Sequence, residues 1–147
     1  MRGISWRVLP LVAGLFVLVQ GLGRTGAISA LADALHHAAS AGAGFAAFLS
    51  GLGLAILCNG TNNLPAGLVA GQAVTEGHLP TAMVDSLLVG VDLGPNLSVT
   101  GSLATILWLT ALRRDGEDIS FGRFLARGAL AMPPALLLAL AALWLSS

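Results

Sequence analysis

Uncharged apolar residues dominate four stretches of the chain, and short polar segments separate these stretches. The first runs from Val8 to Gly23, and the last runs from Gly128 to Ser147. Between them, residues 34–75 carry no charge, and the stretch Thr81–Leu112 holds only two acidic residues. The hydrocarbon core of a bilayer is about 30 Å thick, so a spanning helix needs about 20 apolar residues. The pattern therefore predicts helices that cross a membrane.

The composition agrees with a membrane protein and excludes several other classes. Hydrophobic residues make up 56% of the 147 residues, and the mean hydropathy is +0.86. Charged residues make up 10%, against roughly 25% in soluble domains. The absence of lysine excludes a Walker phosphate loop and, with no net charge, the basic face of a nucleic-acid-binding protein. The single cysteine excludes an internal disulfide and a thiolate metal cage. We expect one membrane domain over residues 1–147, with no catalytic residue, cofactor or metal.

The uncharged stretch 34–75 has a polar centre, which argues against two ordinary spanning helices. Its apolar arms, Gly42 to Leu57 and Leu64 to Val74, are both shorter than a spanning helix. Backbone and amide groups that face lipid without partners would cost several kcal/mol each. We therefore predict a re-entrant hairpin of two short helices, whose polar tip is shielded by protein or lines a watery cavity. The candidate binding residues of this tip are Asn59, Gly60, Thr61, Asn62, Asn63 and Pro65.

Small residues flank the polar tip. Gly51, Gly53, Gly67 and Gly71 are expected to let the two arms of the hairpin approach closely, and the spacing of the last two also fits a helix-dimerisation motif. A lone buried cysteine usually acts as a small apolar residue. For Cys58, contact with a substrate is the alternative.

A second interruption divides the stretch Thr81–Leu112. Pro95 lacks an amide donor and clashes with the preceding turn, and Gly94 weakens the helix at the same point. The polar residues that follow favour an unwound segment, so we predict a discontinuous helix. An acidic residue at membrane depth is costly to ionise, which makes Asp92 a functional candidate, with a cap on the following helix as the alternative. The candidate binding residues of this break are Asp92, Gly94, Pro95, Asn96, Ser98, Thr100, Gly101 and Ser102.

Two interrupted helical elements in one short chain are typical of secondary transporters, in which such interruptions meet near the membrane midplane. Arginines favour the cytoplasmic side, which places the region Arg113–Arg127 inside, together with Arg2 and Arg7. The predicted fold is an all-α, multi-pass integral membrane protein of the cell membrane. It has three transmembrane helices, one re-entrant helical hairpin that enters from outside, and one discontinuous helix.

Three smaller features complete this scheme. The segment Thr25–Ser40 has apolar residues at helical spacing, which predicts a helix with its apolar face on the membrane interface. A signal peptide is the alternative to the first membrane helix. The tryptophans are expected to anchor helices at the interface, and they are Trp6, Trp108 and Trp144.

Two motifs resemble the arsenical pump membrane protein family. The shorter one is Asn62-Asn63-Leu64-Pro65 in the predicted hairpin tip. The longer and more specific one begins with Asp92-Leu93-Gly94-Pro95 and continues through Gly101-Ser102-Leu103-Ala104-Thr105 to Trp108. The loop that ends in Ile119-Ser120-Phe121-Gly122 and the closing apolar helix are also similar to the C-terminus of that family. The resemblance covers essentially the whole chain, which corresponds to the C-terminal third of much longer proteins.

The resemblance implies efflux of arsenite and antimonite by a secondary carrier, and hence arsenic resistance. It implies the fold of an ion transporter superfamily in which two inverted repeats place hairpin tips at the substrate site. In some systems, such carriers join a soluble arsenite-stimulated ATPase. We expect the chain to be a C-terminal fragment, or to need a separate N-terminal half in order to transport.

Other functions stay open beside this one. One is a related carrier for sodium, protons or carboxylates, and another is a membrane subunit that does not itself transport. The sequence lacks a paired-acid or nucleophile–base signature, which argues against a membrane enzyme. Hydrogen-bonding groups are what a neutral arsenous acid molecule would need, and the tip supplies them in Asn59, Thr61, Asn62 and Asn63.

Overall fold

The structure, a computed structural model, describes residues 8–146. This part of the chain is almost entirely helical. No strand occurs within that range. Two helices are long and apolar enough to cross a membrane, which fits the predicted all-α membrane protein. The number of crossings and the re-entrant path stay predictions, and Arg2, Trp6 and Arg7 lie outside the described residues. The α-helices are α1 (Val8–Arg24), α2 (Ala27–Thr61), α3 (Asn63–Gly77), α4 (Thr81–Leu93), α5 (Leu103–Arg114) and α6 (Phe121–Ser146).

The first part of α2 packs against α1 and α3. The backbone of α2 leaves helical geometry at Gly42 (φ 168°, ψ 87°), which divides the helix into two parts. In the first part, Ile28 and Ala32 are buried in a cluster with Val19 of α1 and Ala73 of α3. The centre of this apolar face is therefore covered by protein, and the prediction that the face lies on the membrane interface is wrong.

A single residue separates α2 from α3. Asn62 has φ 76° and ψ 149°, so its backbone belongs to neither helix. Its N–H still donates to the carbonyl oxygen of Cys58 at 2.9 Å, and its Oδ1 accepts from the N–H of Leu64 at 3.2 Å. Asn62 therefore ends α2 with its backbone and caps α3 with its side chain.

The break after α4 contains two short 3₁₀ turns, Gly94–Leu97 and Val99–Gly101. Ser98 between them has extended backbone (φ −130°, ψ 159°). The α-helix resumes as α5, where the hydroxyl of Ser102 accepts from the N–H of Ala104 at 3.2 Å. Asp92 lies in the last turn of α4, and no side chain caps the 3₁₀ turn that follows it. The alternative that Asp92 caps the next helix is therefore wrong.

Of the four glycines near the tip, Gly51 lies where α2 crosses α4, and Gly67 lies where α3 meets α4. A Cβ built on Gly51 would lie 2.5 Å from the carbonyl oxygen of Ser86 in α4, and one on Gly67 would lie 3.0 Å from the Val91 side chain. Within the described residues, a Cβ on Gly53 or Gly71 would meet no atom within 4 Å. The expectation that these four glycines bring α2 and α3 together is wrong, because their spacing in the sequence does not show which neighbour each face of a helix meets.

Helix α6 packs against α2 and against the break. It begins at Phe121, earlier than the apolar stretch from Gly128 suggests, and it continues through Pro133 and Pro134. Its buried residues Met132, Leu136 and Leu140 form a core cluster with Ala55 of α2. A Cβ on Gly128 would lie 2.5 Å from the carbonyl oxygen of Leu97, so the backbone of α6 touches the first 3₁₀ turn.

Candidate functional site

The two interruptions predicted from the sequence lie against each other and are joined by hydrogen bonds. Nδ2 of Asn59, near the end of α2, donates to the carbonyl oxygens of Ala55 and Gly94, each at 2.9 Å. Its Oδ1 accepts from the N–H of Ser98 at 3.0 Å and from the Ser98 hydroxyl at 2.8 Å. One side chain near the end of α2 thus holds the first 3₁₀ turn and the extended residue that follows.

Thr100 extends this contact toward Asn62. Its hydroxyl donates to the carbonyl oxygen of Asn59 at 3.0 Å and lies 3.2 Å from the hydroxyl of Ser98. Its carbonyl oxygen accepts from Nδ2 of Asn62 at 3.1 Å. The hydrogen bonds therefore run from the last turn of α2 to the residue that separates α2 from α3. Apart from the Ala55 carbonyl oxygen, every group in these bonds belongs to the segments predicted to form the site.

Small residues at a spacing of four bring the two helices close enough for these bonds. Ser86, Gly90 and Gly94 lie on one face of α4 and its end, and Ser98 follows at the same spacing in the break. A Cβ on Gly90 would collide with the carbonyl oxygen of Gly51, and one on Gly94 would collide with Ala55. The backbones therefore meet without intervening side chains, as small residues allow in membrane helices. The facing row in α2 is Ala47, Gly51, Ala55 and Asn59.

The structure brings seven of the predicted site residues into this contact. Gly101 belongs with them because a Cβ there would lie 2.9 Å from Oδ1 of Asn59. Pro95 is buried beside it, since the same Cβ would collide with the Pro95 carbonyl oxygen. The hydrogen-bonded members are Asn59, Asn62, Gly94, Ser98 and Thr100.

The other predicted site residues lie around the contact with different partners. The Thr61 hydroxyl donates to the Leu57 carbonyl oxygen at 3.0 Å. The Asn96 amide donates to the carbonyl oxygens of Asp92 and Leu93 at 3.1 and 3.0 Å. Asn63 and Pro65 are half-buried in the first turn of α3, and Ser102 caps α5. The exposed members are Gly60, Thr61, Asp92 and Asn96.

A cavity of about 200 Å³ lies beside the break, between α4 and α6. Asn96 is its polar lining residue, and the other lining residues are apolar. Cys58 does not face this space, because it is fully buried in a cluster with Ala66 and Met83. Among the described residues, no group of three histidine, cysteine, aspartate or glutamate side chains is placed to hold a metal ion.

Sequence reasoning missed two contributors to the contact. Ala55 supplies a carbonyl oxygen to Asn59, and Gly128 lets α6 touch the break. The signal for Ala55 was present in the sequence as the four-residue spacing of small residues in α2. Gly128 is a single glycine in an apolar helix and carries no such signal.

Comparisons with known proteins match nearly the whole chain. A family model described as arsenical pump membrane protein matches residues 1–146. The arsenical pump membrane proteins of Yersinia enterocolitica and Escherichia coli (strain K12) are each 34% identical to this chain over 97% of its length. An uncharacterized transporter of Mycobacterium tuberculosis is 32% identical over 99% of the chain. No solved structure matches.

The matches cover about a third of each relative, from 34% of the two arsenical pump proteins to 35% of the mycobacterial transporter. This chain therefore spans about a third of the length of the curated relatives that it matches. The match to the family model extends from the first helix of this chain to the last. The chain belongs to the arsenical pump membrane protein family.

Proposed function

We propose that the chain forms the C-terminal part of a secondary carrier that exports arsenite and antimonite across the cell membrane and confers arsenic resistance. Family membership supports a transporter for arsenicals in a membrane. The observation that carries the proposal is the hydrogen-bonded contact between the two helix interruptions, in which Asn59 meets Ser98 and Asn62 meets Thr100. Contacts of this kind between broken helices are where secondary carriers hold their substrates.

The chemistry of the contact fits a small neutral molecule that carries hydroxyl groups. Helices α2 and α4 end beside it and α3 and α5 begin beside it, so carbonyl ends and N–H ends of helices both adjoin the contact, partly capped by Asn62, Asn96 and Ser102. Arsenous acid presents hydroxyl groups that donate and accept hydrogen bonds, so it can use both kinds of helix end. In this proposal the substrate is bound between the tip and the break, with Asn62, Asn63 and Asn96 as the amides nearest to it.

The proposed membrane arrangement keeps three crossings, one re-entrant hairpin and one discontinuous helix. Large exposed apolar side chains on α6, such as Leu130 at 80% and Leu138 at 72%, support contact with lipid or with the rest of the carrier. Arg113 at the end of α5 forms an exposed ion pair with Asp118 of the following loop, and we place this loop in the cytoplasm. A separate N-terminal half and a soluble arsenite-stimulated ATPase are the proposed partners.

Flux into everted membrane vesicles tests this function. The complete carrier that contains this chain is expressed in a host without arsenite exporters, and uptake of arsenite, antimonite, sodium and a dicarboxylate is compared. We expect energised uptake of the two metalloids and none of the dicarboxylate. Uptake of sodium or dicarboxylate in place of arsenite would show a related carrier of another specificity instead.

A matched pair of threonine variants ties the flux to the contact. Thr100→Val removes the hydroxyl that joins the break to the Asn59 carbonyl oxygen, and arsenite flux should fall. Thr110→Val removes a hydroxyl that bonds within its own helix, to the Ile106 carbonyl oxygen, and flux should be unchanged. Equal flux in both variants would separate transport from this contact and favour a subunit that does not transport.

A further inference from the structure

The side-chain amide of Asn59 has no hydrogen-bonding capacity left for a ligand. An asparagine amide has two N–H donors and one carbonyl oxygen with two lone pairs. Both donors of Asn59 are used on the carbonyl oxygens of Ala55 and Gly94. Both acceptor positions are used on the N–H and hydroxyl of Ser98. The residue that looks like a ligand in the sequence is thus saturated by the protein itself.

The partners also fix which way this amide points. The N–H of Ser98 can only donate and the carbonyl of Gly94 can only accept. A flipped amide would set acceptor against acceptor at Gly94 and donor against donor at Ser98, so the hydrogen bonds determine the positions of oxygen and nitrogen. The space beside the amide is filled as well, because a Cβ on Gly101 would lie 2.9 Å from Oδ1.

The other amides near the contact keep free capacity. Asn62 uses one donor on the Thr100 carbonyl oxygen and one acceptor position on the Leu64 N–H. Asn96 donates within its own turn, which leaves its Oδ1 free in the part of the chain that the structure describes. Asn59 therefore differs in kind from the asparagines that are available to a substrate.

We propose that Asn59 is a positioning residue: it holds the break 94–101 against the tip, and it does not contact the transported arsenous acid molecule. This inference rests on the proposed function, because the geometry that Asn59 maintains is the geometry of the proposed site. Its removal releases the break from α2 without removing any group that the substrate uses. Arsenite and antimonite transport then fall together, because both need the same contact.

Replacement by a carboxylic acid gives a pH signature for this role. In Asn59→Asp, an ionised carboxyl would face the carbonyl oxygens of Ala55 and Gly94 and would repel both. A protonated carboxyl can donate to one of them and still accept from Ser98. Lower pH favours the protonated form, so function should return as the pH falls.

The first experiment measures arsenite flux in everted vesicles from pH 8 to pH 6, with the complete carrier and each rate divided by the wild-type rate at the same pH. We expect Asn59→Asp to transport about tenfold more slowly than wild type at pH 8, as for a broken buried hydrogen-bond network, and to recover severalfold at pH 6. Gln72→Glu is the matched control, since it makes the same amide-to-acid change on α3 outside the contact. Its ratio should stay constant with pH. A flat ratio for Asn59→Asp would overturn the proposal.

The second experiment does not depend on transport. Hydrogen exchange by mass spectrometry compares wild type with Asn59→Leu, which is similar in size and has no polar group. Peptides that cover residues 94–102 should exchange faster, because the Ser98 N–H loses its acceptor, while peptides of α6 beyond Pro134 should be unchanged.

The two experiments separate failure of this inference from failure of the proposed function. Unchanged exchange at 94–102 overturns the positioning role, whatever the carrier transports. Faster exchange supports the role even in a carrier that proves to move another solute, and only the flux assay then decides the substrate. A rise in KM for arsenite alone, with 94–102 still protected, would show that Asn59 binds the substrate directly.

Discussion

Gly51 and Gly90 face each other where α2 crosses α4, so closely that a Cβ on Gly90 would collide with the carbonyl oxygen of Gly51. Neither residue is part of the hydrogen-bonded contact. Together with Gly94 against Ala55, they nevertheless set the distance at which the two interruptions meet. The site thus depends on backbone packing one to two turns away from its polar groups.

Gly90→Ala should therefore destabilise the protein. The added methyl group has backbone as its neighbour and cannot be accommodated by a rotamer change, so we expect a loss of about 1–3 kcal/mol, as for other overpacked cores. The measurement is the thermal unfolding midpoint of the purified carrier in detergent. Gly53→Ala in the same region is the control, because its methyl group would meet no described atom within 4 Å. Equal midpoints for the two variants would contradict the close crossing.

The backbone of Asn62 predicts a difference between two small replacements. Its φ of 76° and ψ of 149° lie in a region that glycine adopts easily and other residues adopt at a cost of about 1–3 kcal/mol. Asn62→Gly and Asn62→Ala both lose the hydrogen bonds to Thr100 and Leu64. The alanine variant should be less stable than the glycine variant by about that amount, measured by thermal unfolding. An alanine variant as stable as the glycine variant would show that α2 and α3 are joined by another backbone geometry.

Asp92→Asn tests whether this carboxylate couples transport to protons. The side chain is exposed in the last turn of α4 and caps no helix, so an amide of the same shape should leave the fold intact. If Asp92 releases and binds protons during transport, the variant should lose arsenite resistance at an unchanged protein level in the membrane. Asp85→Asn, on the same face of α4 and seven residues earlier, is the control and should keep resistance. Normal resistance in the Asp92→Asn strain would remove this residue from the coupling mechanism.

Labelling of introduced cysteines tests the proposed topology. Cysteines at His78, between α3 and α4, and at Glu117, between α5 and α6, should react with an impermeant maleimide from opposite sides, His78 from outside. The native Cys58 is fully buried and should give little background. Labelling of both positions from the same side would mean that α2 and α3 do not form a re-entrant pair in this orientation.

The sequence predicted where helices are interrupted because the residues that interrupt them act locally. Pro95 removes an amide donor, and the side chain of Asn62 can cap the helix that follows it. It did not predict which neighbour each glycine approaches, because that depends on the rotation of a whole helix about its axis. The sequence therefore predicted that Gly51 would face α3, whereas it faces α4.

The role of Asn59 could not be predicted from its residue type. An asparagine in a polar tip has the same composition signal whether its amide faces a substrate or a neighbouring backbone. The carbonyl of Gly94 and the N–H of Ser98 that saturate it belong to a segment 35 and 39 residues away. These two groups lie beside Asn59 because α2 crosses α4, and no local pattern in the sequence specifies that crossing.

The non-helical backbone at Gly42 bears on how this protein can move. Before it, α2 packs with α1 and α3; after it, α2 packs with α3, α4 and α6. Where α2 and α4 touch backbone to backbone, one cannot slide along the other by exchanging rotamers, so they must travel as one rigid body. At Gly42 the backbone leaves helical geometry, so bending there is expected to cost less than within an intact turn. We therefore expect any rotation between the two parts of α2 to occur at Gly42.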